Sequence, residues 1–404
     1  MQPSKRGAAM PPSPIRKLVP LAEQARARGV HVHHLNIGQP DVRTPPGFFE
    51  AVHRFAEPVL AYGHSAGFPA VRERMAAYYR RLGYAVGPEH VLVTTGGSEA
   101  IQFAMMATCD PGDEIVCFEP FYTNYNSYAL QAAVTLRPVT CRSEDGYHLP
   151  PREAIEAAVG PRTRAILCCS PNNPTGTVLS AEEMKTLAAV ARERGLFLLS
   201  DEAYRELVYG DVRHTSVLEG SRGPAEAELD DRAVLMDTLS KRYSLCGARL
   251  GCLVTRNEAL GRAFLHLGMS RLCPPSLEQH GALAVLELGD EYFHAVQSEY
   301  RRRRDVVMDG LGRIPGAMAR VPQGAFYVMV RLPVKDSGAF ARWLLTDFSH
   351  EGETVMVAPG DGFYATRGLG LQEVRLAYVL EVEELRRAME CLAAGLRAYP
   401  GVQR

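Results

Sequence analysis

Short apolar runs alternate with longer helical patterns through the middle of the chain. The apolar runs lie at residues 90–96, 113–120, 164–171, 196–204 and 232–240. Several are apolar at consecutive positions, which is typical of parallel strands that are covered on both faces. The clearest helical pattern, at 180–195, has Ser180 and Glu183 at capping-box spacing and Gly195 at its end. This alternation predicts an α/β fold in which a large, doubly wound domain has a mostly parallel central sheet.

The pattern changes near residue 276. A helical pattern runs from 276 to 311 with an interruption at Gly289-Asp290, and a strand pattern at 322–333 and an amphipathic helix pattern at 381–398 follow. These segments predict a second, smaller α+β domain. We therefore predict an N-terminal arm with the start of the small domain at 1–45, a large domain at 46–288, and a small C-terminal domain at 289–404.

Charge and composition argue against several function classes. The 404 residues are 46% hydrophobic and 23% charged, and the net charge of −1 gives no sign of a nucleic-acid partner or an anionic membrane partner. The one basic cluster, Arg301–Arg304, has Asp305 beside it in a helical pattern, so a solvated helix face is expected. No apolar stretch approaches the length of a membrane span.

The cysteines indicate a cellular compartment. The nine cysteines form no CxxC pair, and Cys168 and Cys169 are adjacent within an apolar run, which favours buried free thiols over a disulfide framework. The first 14 residues lack the apolar core of a signal peptide, and their Pro, Ser and Ala content predicts a loose arm. Together these features predict a reducing compartment, the cytoplasm.

Three histidines at the start of the chain resemble part of a metal site. His31, His33 and His34 lie in the sequence HVHH. No cysteine, histidine or acidic residue accompanies them at ligand spacing, so a strand with polar edges is favoured and no metal is predicted.

Polar residues follow several of the predicted strands, at the edge of the sheet where open α/β proteins bind ligands. They are a glycine turn at 95–100 (TGGSEA), NNPTG at 172–176, DEAY at 201–204, and Lys241 followed by Arg249. Taken singly, each feature is also explained by a tight turn or a solvated side chain. Together they fit one cofactor, pyridoxal phosphate, which needs an amine for its aldehyde, a carboxylate against its ring nitrogen, donors to its ring oxygen and a cup for its phosphate.

With these motifs the chain resembles the pyridoxal-phosphate-dependent aminotransferases of class I/II, the aspartate aminotransferase-like family of fold type I. The motifs that carry the resemblance are NIGQPD (36–41), NNPTG (172–176), SDEAY (200–204), SKxxxxxxxR (240–249) and EVRLAY (373–378). The resemblance implies transfer of an amino group from an L-amino acid to a 2-oxo acid, through a Lys241 Schiff base and a pyridoxamine phosphate intermediate. It implies that Lys241, once freed, moves a proton at the substrate Cα, and that Asp201 keeps the ring nitrogen protonated.

The resemblance also assigns the other positions of the site. Tyr204 and Asn173 would bond the ring oxygen, and Tyr122 would stack on the ring. Gly97, Ser98, Ser240 and Arg249, with Thr238 as a weaker candidate, would form the phosphate cup. Arg375 would bind the substrate α-carboxylate as a bidentate pair, and the backbone of Gly38 would contact the same carboxylate. Tyr62 would reach the phosphate of the neighbouring subunit, which implies a homodimer with shared active sites.

The sequence leaves the substrate open. Relatives specific for dicarboxylic substrates carry a lysine where this chain has Ser98, or an arginine where it has Gly268, and Arg271 is a nearby alternative. Aspartate, neutral, aromatic and specialised donors therefore remain. A lyase that eliminates or cyclises on the same scaffold is the main alternative, because the carbanion at Cα can also expel a leaving group. A cofactor-binding regulator and a noncatalytic interaction protein are disfavoured, since the candidate catalytic residues are all chemically competent.

Overall fold

The computed structural model describes residues 1–222 and 231–403. Its strands are β1 (His31–His34), β2 (Val91–Thr94), β3 (Glu114–Glu119), β4 (Thr135–Thr140), β5 (Thr163–Cys169), β6 (Phe197–Asp201), β7 (Ala233–Thr238), β8 (Gly251–Val254), β9 (Met318–Ala319), β10 (Tyr327–Arg331), β11 (Glu353–Met356), β12 (Ala358–Pro359) and β13 (Glu373–Ala377). Its α-helices are α1 (Lys5–Ala9), α2 (Val19–Ala27), α3 (Pro46–His53), α4 (Pro69–Arg81), α5 (Gly96–Thr108), α6 (Tyr125–Ala132), α7 (Arg152–Ala157), α8 (Ala181–Arg194), α9 (Leu239–Arg242), α10 (Glu258–Ser270), α11 (Ser276–Val285), α12 (Asp290–Gly312), α13 (Ser337–Thr346) and α14 (Val382–Ala398).

The central element is a seven-stranded sheet in the order β2-β8-β7-β6-β5-β3-β4. β4, β3, β5, β6 and β7 pair in parallel, and β8 runs antiparallel to both of its neighbours. All five predicted strands are present, so the prediction of a mostly parallel, doubly wound sheet is confirmed. Adjacent residues of one strand enter different apolar clusters on the two faces, as Ile115 and Val116 do, because successive side chains of a strand point to opposite sides.

Two predictions about where helices begin and end are confirmed. The Ser180 hydroxyl accepts a hydrogen bond from the Glu183 amide at 3.2 Å, and the Glu183 carboxylate accepts one from the Ser180 amide at 2.7 Å. Gly195 closes α8 in the left-handed region with a φ of 70°. The long helical pattern is interrupted where expected, because α11 ends at Val285 and α12 begins directly after Gly289.

The last third of the chain forms smaller sheets packed on α12 and α14. β12, β13, β10 and β9 make an antiparallel sheet in that order, and β1 pairs in parallel with β11. The N-terminal strand therefore joins the C-terminal elements, as the predicted start of a small domain requires. The boundaries at 45 and 288 stay predictions.

The prediction of a solvated helix face at Arg301–Arg304 holds for Arg301 and Arg302, which are exposed on α12, but not for Arg303. Arg303, within the basic run, is only 4% exposed and forms an ion pair with Asp41. Its guanidinium also bonds the Val379 carbonyl and Glu299, so it ties α12 to the NIGQPD loop. The sequence could not show this burial, because Asp41 and Val379 lie far from Arg303 in the chain. Within the described ranges, no helix combines the length and apolar character needed to cross a bilayer.

Candidate active site

The carboxyl ends of β5, β6 and β7 and the first turn of α5 meet around a cavity of ≈ 660 Å³. The structure brings the predicted site residues together at this cavity, with the exception of Tyr62. Those that line it are Gly38, Gly97, Ser98, Tyr122, Asn173, Asp201, Tyr204, Ser240, Lys241, Arg249 and Arg375, together with Thr238. Ligands are expected at this edge of an open α/β sheet.

Lys241 enters the cavity from a short helix that starts directly after β7. The Thr238 hydroxyl caps this helix by accepting from the Ser240 amide at 3.1 Å. The Lys241 Nζ donates to the Gly38 carbonyl at 2.9 Å and lies 3.7 Å from the Cys246 Sγ. The lysine has no carboxylate partner among the residues that the structure describes, so its amine is held at the cavity wall without a neutralising charge.

Asp201 ends β6 as a buried carboxylate. It accepts hydrogen bonds from the Tyr125 hydroxyl at 2.6 Å and from the Ala203 amide at 3.2 Å. No cation pairs with it in the described ranges, and burial raises the pKa of Asp201 to about 6. A buried carboxylate in this state is stabilised by a cationic group of a ligand. Glu202, the next residue of the motif, lies outside the cavity and bonds His214 and Ser216 instead.

We expect Asp201→Asn to stabilise the cofactor-free protein at pH 7 by roughly 3 kcal/mol, from a pKa rise of about two units. Because the folded-state pKa exceeds the unfolded value, the carboxyl favours folding below about pH 4 and loses this contribution as the pH rises through 6. Asparagine cannot ionise and still accepts from Tyr125. Urea unfolding at pH 7 measures the gain, which should shrink toward pH 4.5. The exposed Asp211→Asn serves as control, and an equal gain there would contradict the assignment.

A polar wall faces Lys241 across the cavity. Arg375 lies on β13 with only 1% of its surface exposed. It donates to the Asn173 Oδ1 at 2.9 Å and to the Asn36 carbonyl at 2.5 Å. Its guanidinium carbon lies 4.3 Å from the ring centroid of Tyr327 and 5.0 Å from that of Phe363.

The Arg375 guanidinium can still donate a hydrogen bond to a ligand. Its Nε has no hydrogen-bond partner, and no carboxylate pairs with it in the described part of the chain. Burial lowers the pKa of Arg375, because a desolvated cation without a counterion is unfavourable. The phenol of Tyr204 bonds the Tyr327 hydroxyl at 2.8 Å beside it. This arrangement fits a carboxylate ligand, which would supply the missing negative charge.

The first turn of α5 forms a cup for an anion. Gly96 has a φ of 74°, and a Cβ at this position would lie 2.5 Å from the Arg249 guanidinium. Arg249 itself is left-handed, with a φ of 51°, and donates to the Cys246 carbonyl at 2.9 Å. The close approach places a guanidinium beside the free amides of a helix N-terminus, and both attract an anion such as a phosphate.

An aromatic side chain closes another side of the cavity. Tyr122 follows β3, and its hydroxyl accepts from the Asn124 amide group at 2.9 Å. Its ring stands edge-on to Tyr125 with the centroids 5.6 Å apart. Burial raises the pKa of Tyr122, so the phenol stays neutral. The ring is therefore available as an apolar surface for a planar ligand.

Sequence reasoning missed several residues of the site. Ser13, Ile15 and Arg16 line the cavity, so the predicted loose arm is partly wrong. The Ile15 carbonyl accepts from the Asn36 side chain at 3.4 Å, and Pro14 packs so closely on Gly362 that a Cβ there would collide with it. Tyr125, Tyr327, Cys246 and Asn124 were also missed. Of these, only Tyr125 and Asn124 could have been expected from the sequence, because they follow the strand predicted at 113–120.

Two candidates lie elsewhere. Tyr62 is 81% exposed and does not line the cavity of its own chain. The Nε of Arg271 pairs with the Glu99 carboxylate at 3.1 Å, and one of its terminal nitrogens bonds the Val93 carbonyl. Its other terminal nitrogen is buried without a partner in the described residues, and Arg271 does not line the cavity of its own chain, so its role as a distal cation stays a prediction.

Comparisons with known proteins agree with this geometry. The chain matches the family described as Aminotransferase class I and II over residues 30–392. An aspartate/prephenate aminotransferase of Thermus thermophilus is 32% identical over 396 residues, which cover 96% of this chain and 97% of the relative. An alanine aminotransferase from Pyrococcus furiosus has a TM-score of 0.89 at 28% identity, and a Thermus thermophilus aspartate aminotransferase single mutant has a TM-score of 0.87 at 31% identity. Both structural matches cover 98% of this chain and 100% of theirs.

The fold and these matches define the class of protein, an enzyme that transfers amino groups. The chain belongs to the class I and II aminotransferase family. It is a pyridoxal-phosphate-dependent transaminase of the aspartate aminotransferase fold, and the relatives reported above lend no support to the lyase alternative.

The residues of the cavity fit the cofactor. Asp201 is a buried carboxylate to which the described part of the chain offers no cation, as a protonated ring nitrogen requires. The cup of α5 and Arg249 suits a phosphate, and Lys241 presents an amine between them. Bound pyridoxal phosphate supplies an aldehyde that reacts with amines and a ring that accepts the electron pair released at the substrate Cα.

Proposed function

We propose that the enzyme exchanges amino groups between L-amino acids and 2-oxo acids that carry a second carboxylate. In this proposal Lys241 moves the proton at the substrate Cα, and Asp201 holds a proton at the ring nitrogen. Arg375 binds the α-carboxylate through paired hydrogen bonds and so fixes the orientation of the Cα–H bond. The observation that carries these roles is the convergence of an unpaired lysine, an unpaired carboxylate and a buried, uncompensated arginine on one cavity.

The phosphate, ring and dimer roles complete this proposal. Gly97, Ser98, Ser240 and Arg249 would hold the phosphate, and Tyr122 would stack on the ring. Asn173 and Tyr204 would bond the ring oxygen, and the Gly38 carbonyl would give up Lys241 when the cofactor binds. These assignments rest on the position of each side chain at the cavity surface.

The dicarboxylic substrate class rests on Arg16. Of the cations that line the cavity, Lys241, Arg249 and Arg375 already have roles, which leaves Arg16. Arg16 is exposed and has no ion pair in the described ranges, so a second substrate carboxylate could compensate it. The segment is held beside Arg375, since Ile15 contacts Asn36. Relatives named for aspartate and prephenate, both dicarboxylic acids, support this choice.

Replacing Arg16 by methionine is expected to lower kcat/KM for aspartate and glutamate by about tenfold, the equivalent of one charge-assisted hydrogen bond. Alanine and tyrosine, which lack the second carboxylate, should lose less than about twofold. Steady-state kinetics with all four donors measures the split. Lys17→Met is the control, because Lys17 is the neighbouring exposed cation and does not line the cavity. An equal loss for all donors would reject the assignment of Arg16.

A half-reaction experiment tests the whole proposal. Purified holoenzyme is mixed with one amino donor while the visible band of the bound cofactor is followed. Transamination requires that the donor bleaches the band and that a 2-oxo acid restores it. Release of 2-oxo acid and ammonia with an unchanged band would instead establish elimination.

We also propose a homodimer with shared active sites. An exposed apolar patch is formed by Val59, Leu60, Tyr62, Met269 and Leu272, which are 50–81% exposed. Its two segments adjoin, since the Ser276 hydroxyl bonds the Ala61 carbonyl at 3.3 Å. A patch of this kind indicates a protein interface. It would carry Tyr62 to the cavity of a second copy.

The dimer gives a further prediction. Leu60→Glu places a charge in the apolar patch, so we expect it to shift the protein toward the mass of one chain at concentrations where the wild type has twice that mass. Light scattering after size exclusion measures both masses. Met318→Glu is a matched control, because Met318 and Leu60 are each 56% exposed. A monomeric wild type would reject the proposal.

We further propose a cytoplasmic location. It is supported by the cysteines, all nine of which are free thiols, with seven of them buried. Free buried thiols are typical of a reducing compartment. Cell fractionation with an antibody against the protein tests the location.

A further inference from the structure

A second cluster of chemically reactive side chains lies at the two-stranded sheet. His31 and His33 are two residues apart on β1, so their side chains lie on the same face. The parallel partner β11 places Glu353 opposite His31, and the first turn of α14 adds Glu384. None of these four residues lines the active-site cavity. The acidic partners that the sequence did not reveal are therefore supplied by strand pairing, for Glu353, and by the start of α14, for Glu384.

The nitrogen and oxygen atoms of this cluster have the distances of a metal site. The His33 Nε2 lies 3.0 Å from a Glu353 oxygen, and one atom from each of His31, His33 and Glu353 lies within 4.8 Å of the others. Tetrahedral ligands about 2.0–2.2 Å from zinc lie roughly 3.4 Å apart, so the exposed His31 must move by only about 1 Å.

The second carboxylate orients the buried imidazole. His33 is 0% exposed, and its Nδ1 lies 3.3 Å from the Glu384 carboxylate. A carboxylate that accepts from one ring nitrogen fixes the tautomer, so that the other nitrogen presents its lone pair to a metal. The Nε2 of His33 faces Glu353, which is the direction that a metal would need.

We infer that His31, His33 and Glu353 bind a divalent transition-metal ion of the zinc class, with Glu384 orienting His33. Two imidazoles and one carboxylate suit zinc, cobalt or nickel rather than calcium or magnesium. The side chain of His31 is 55% exposed, so the ion has a path from solvent and a fourth position for water.

One protein cation competes for the site. The Arg387 Nε lies 3.8 Å from the other oxygen of Glu353, and its side chain is 56% exposed. A long contact of an exposed arginine contributes little, so it leaves the oxygen that faces His33 available. A bound ion would join β1, β11 and α14, and its effect would be on stability and not on amino transfer.

Metal binding to the untagged holoenzyme tests the inference. After treatment with a chelator and dialysis, titration with Zn²⁺ in a calorimeter should show one ion per chain, with a rise in melting temperature. His31→Ala and Glu353→Gln should each weaken Zn²⁺ at least about tenfold and abolish the rise, with unchanged transaminase activity. His53→Ala removes an exposed histidine outside the cluster and should bind as the wild type does.

Two results would contradict the proposed metal site. A wild type that takes up no Zn²⁺ would overturn the inference. Binding by His31→Ala and Glu353→Gln with wild-type affinity would also overturn it, since the ion would then lie elsewhere. Because His31 is exposed, loss of folding does not confound its variant, and circular dichroism checks this.

Discussion

Lys241→Ala is expected to lower the transamination rate by about 10⁴-fold, the upper range for removal of a positioned general base. The variant should fold, because among the described residues Lys241 makes one conventional hydrogen bond, to the Gly38 carbonyl. It should also retain noncovalent cofactor affinity through Asp201 and the cup of α5. The rate of donor turnover in a stopped-flow instrument measures the loss.

Two further measurements separate a proton-transfer role from a structural one. Small primary amines added to Lys241→Ala should restore part of the rate, since an external base can then reach the substrate Cα. Borohydride treatment should attach the cofactor to the peptide that contains Lys241 in the wild type only. Lys335→Ala removes an exposed lysine and is the control. Undiminished turnover in Lys241→Ala would refute its assigned role.

Arg375→Lys is expected to reduce kcat/KM for amino acid donors by about 10²-fold, equivalent to roughly 3 kcal/mol. Lysine keeps the charge but cannot form two parallel hydrogen bonds to a carboxylate, and it would lose the contacts to Asn173 and Asn36. The loss should be absent for amines that lack an α-carboxylate.

Two measurements with matched donors test whether Arg375 binds the substrate carboxylate. Kinetics with an amino acid and with the amine of the same side chain show whether the lost interaction belongs to the carboxylate. Arg331→Lys, on the neighbouring strand and exposed, should match the wild type for both. An equal loss for the amine would mean that Arg375 acts on the fold of the site.

The sequence was informative where one segment determines its own structure. Apolar runs predicted β2, β3, β5, β6 and β7, because strands that are buried on both faces are apolar at consecutive positions. β4 was missed because it is a half-exposed edge strand that contains Pro138. β8 was also missed. The capping residues of α8 were predicted correctly, since the reciprocal hydrogen bonds of Ser180 and Glu183 lie within the first turn of the helix. The contacts of Glu183 with His148 and the Leu149 amide were not predicted, because these residues are distant in the chain.

Contacts between distant segments could not be predicted in this way. The motifs indicated that Lys241 and Asp201 share a crevice, because parallel strands end at one edge. Nothing local indicated that Tyr327 would stack on Arg375, or that Arg303 would be buried on Asp41. The arrival of Arg16 at the cavity also depends on tertiary packing, since the arm itself has no apolar pattern.

The pairing of β1 with β11 has a consequence for the order in which the protein folds during synthesis. His33 leaves the ribosome long before its partner Glu353, which is 320 residues further on. Contacts of such sequence separation form late, because a long loop must be closed before they stabilise anything. The seven-stranded sheet, complete by Val254, can form well before then. The segment that carries Arg16 would therefore reach the cavity last. A nascent chain would form the phosphate cup of α5 and Arg249 before it places Arg16 where a substrate would bind.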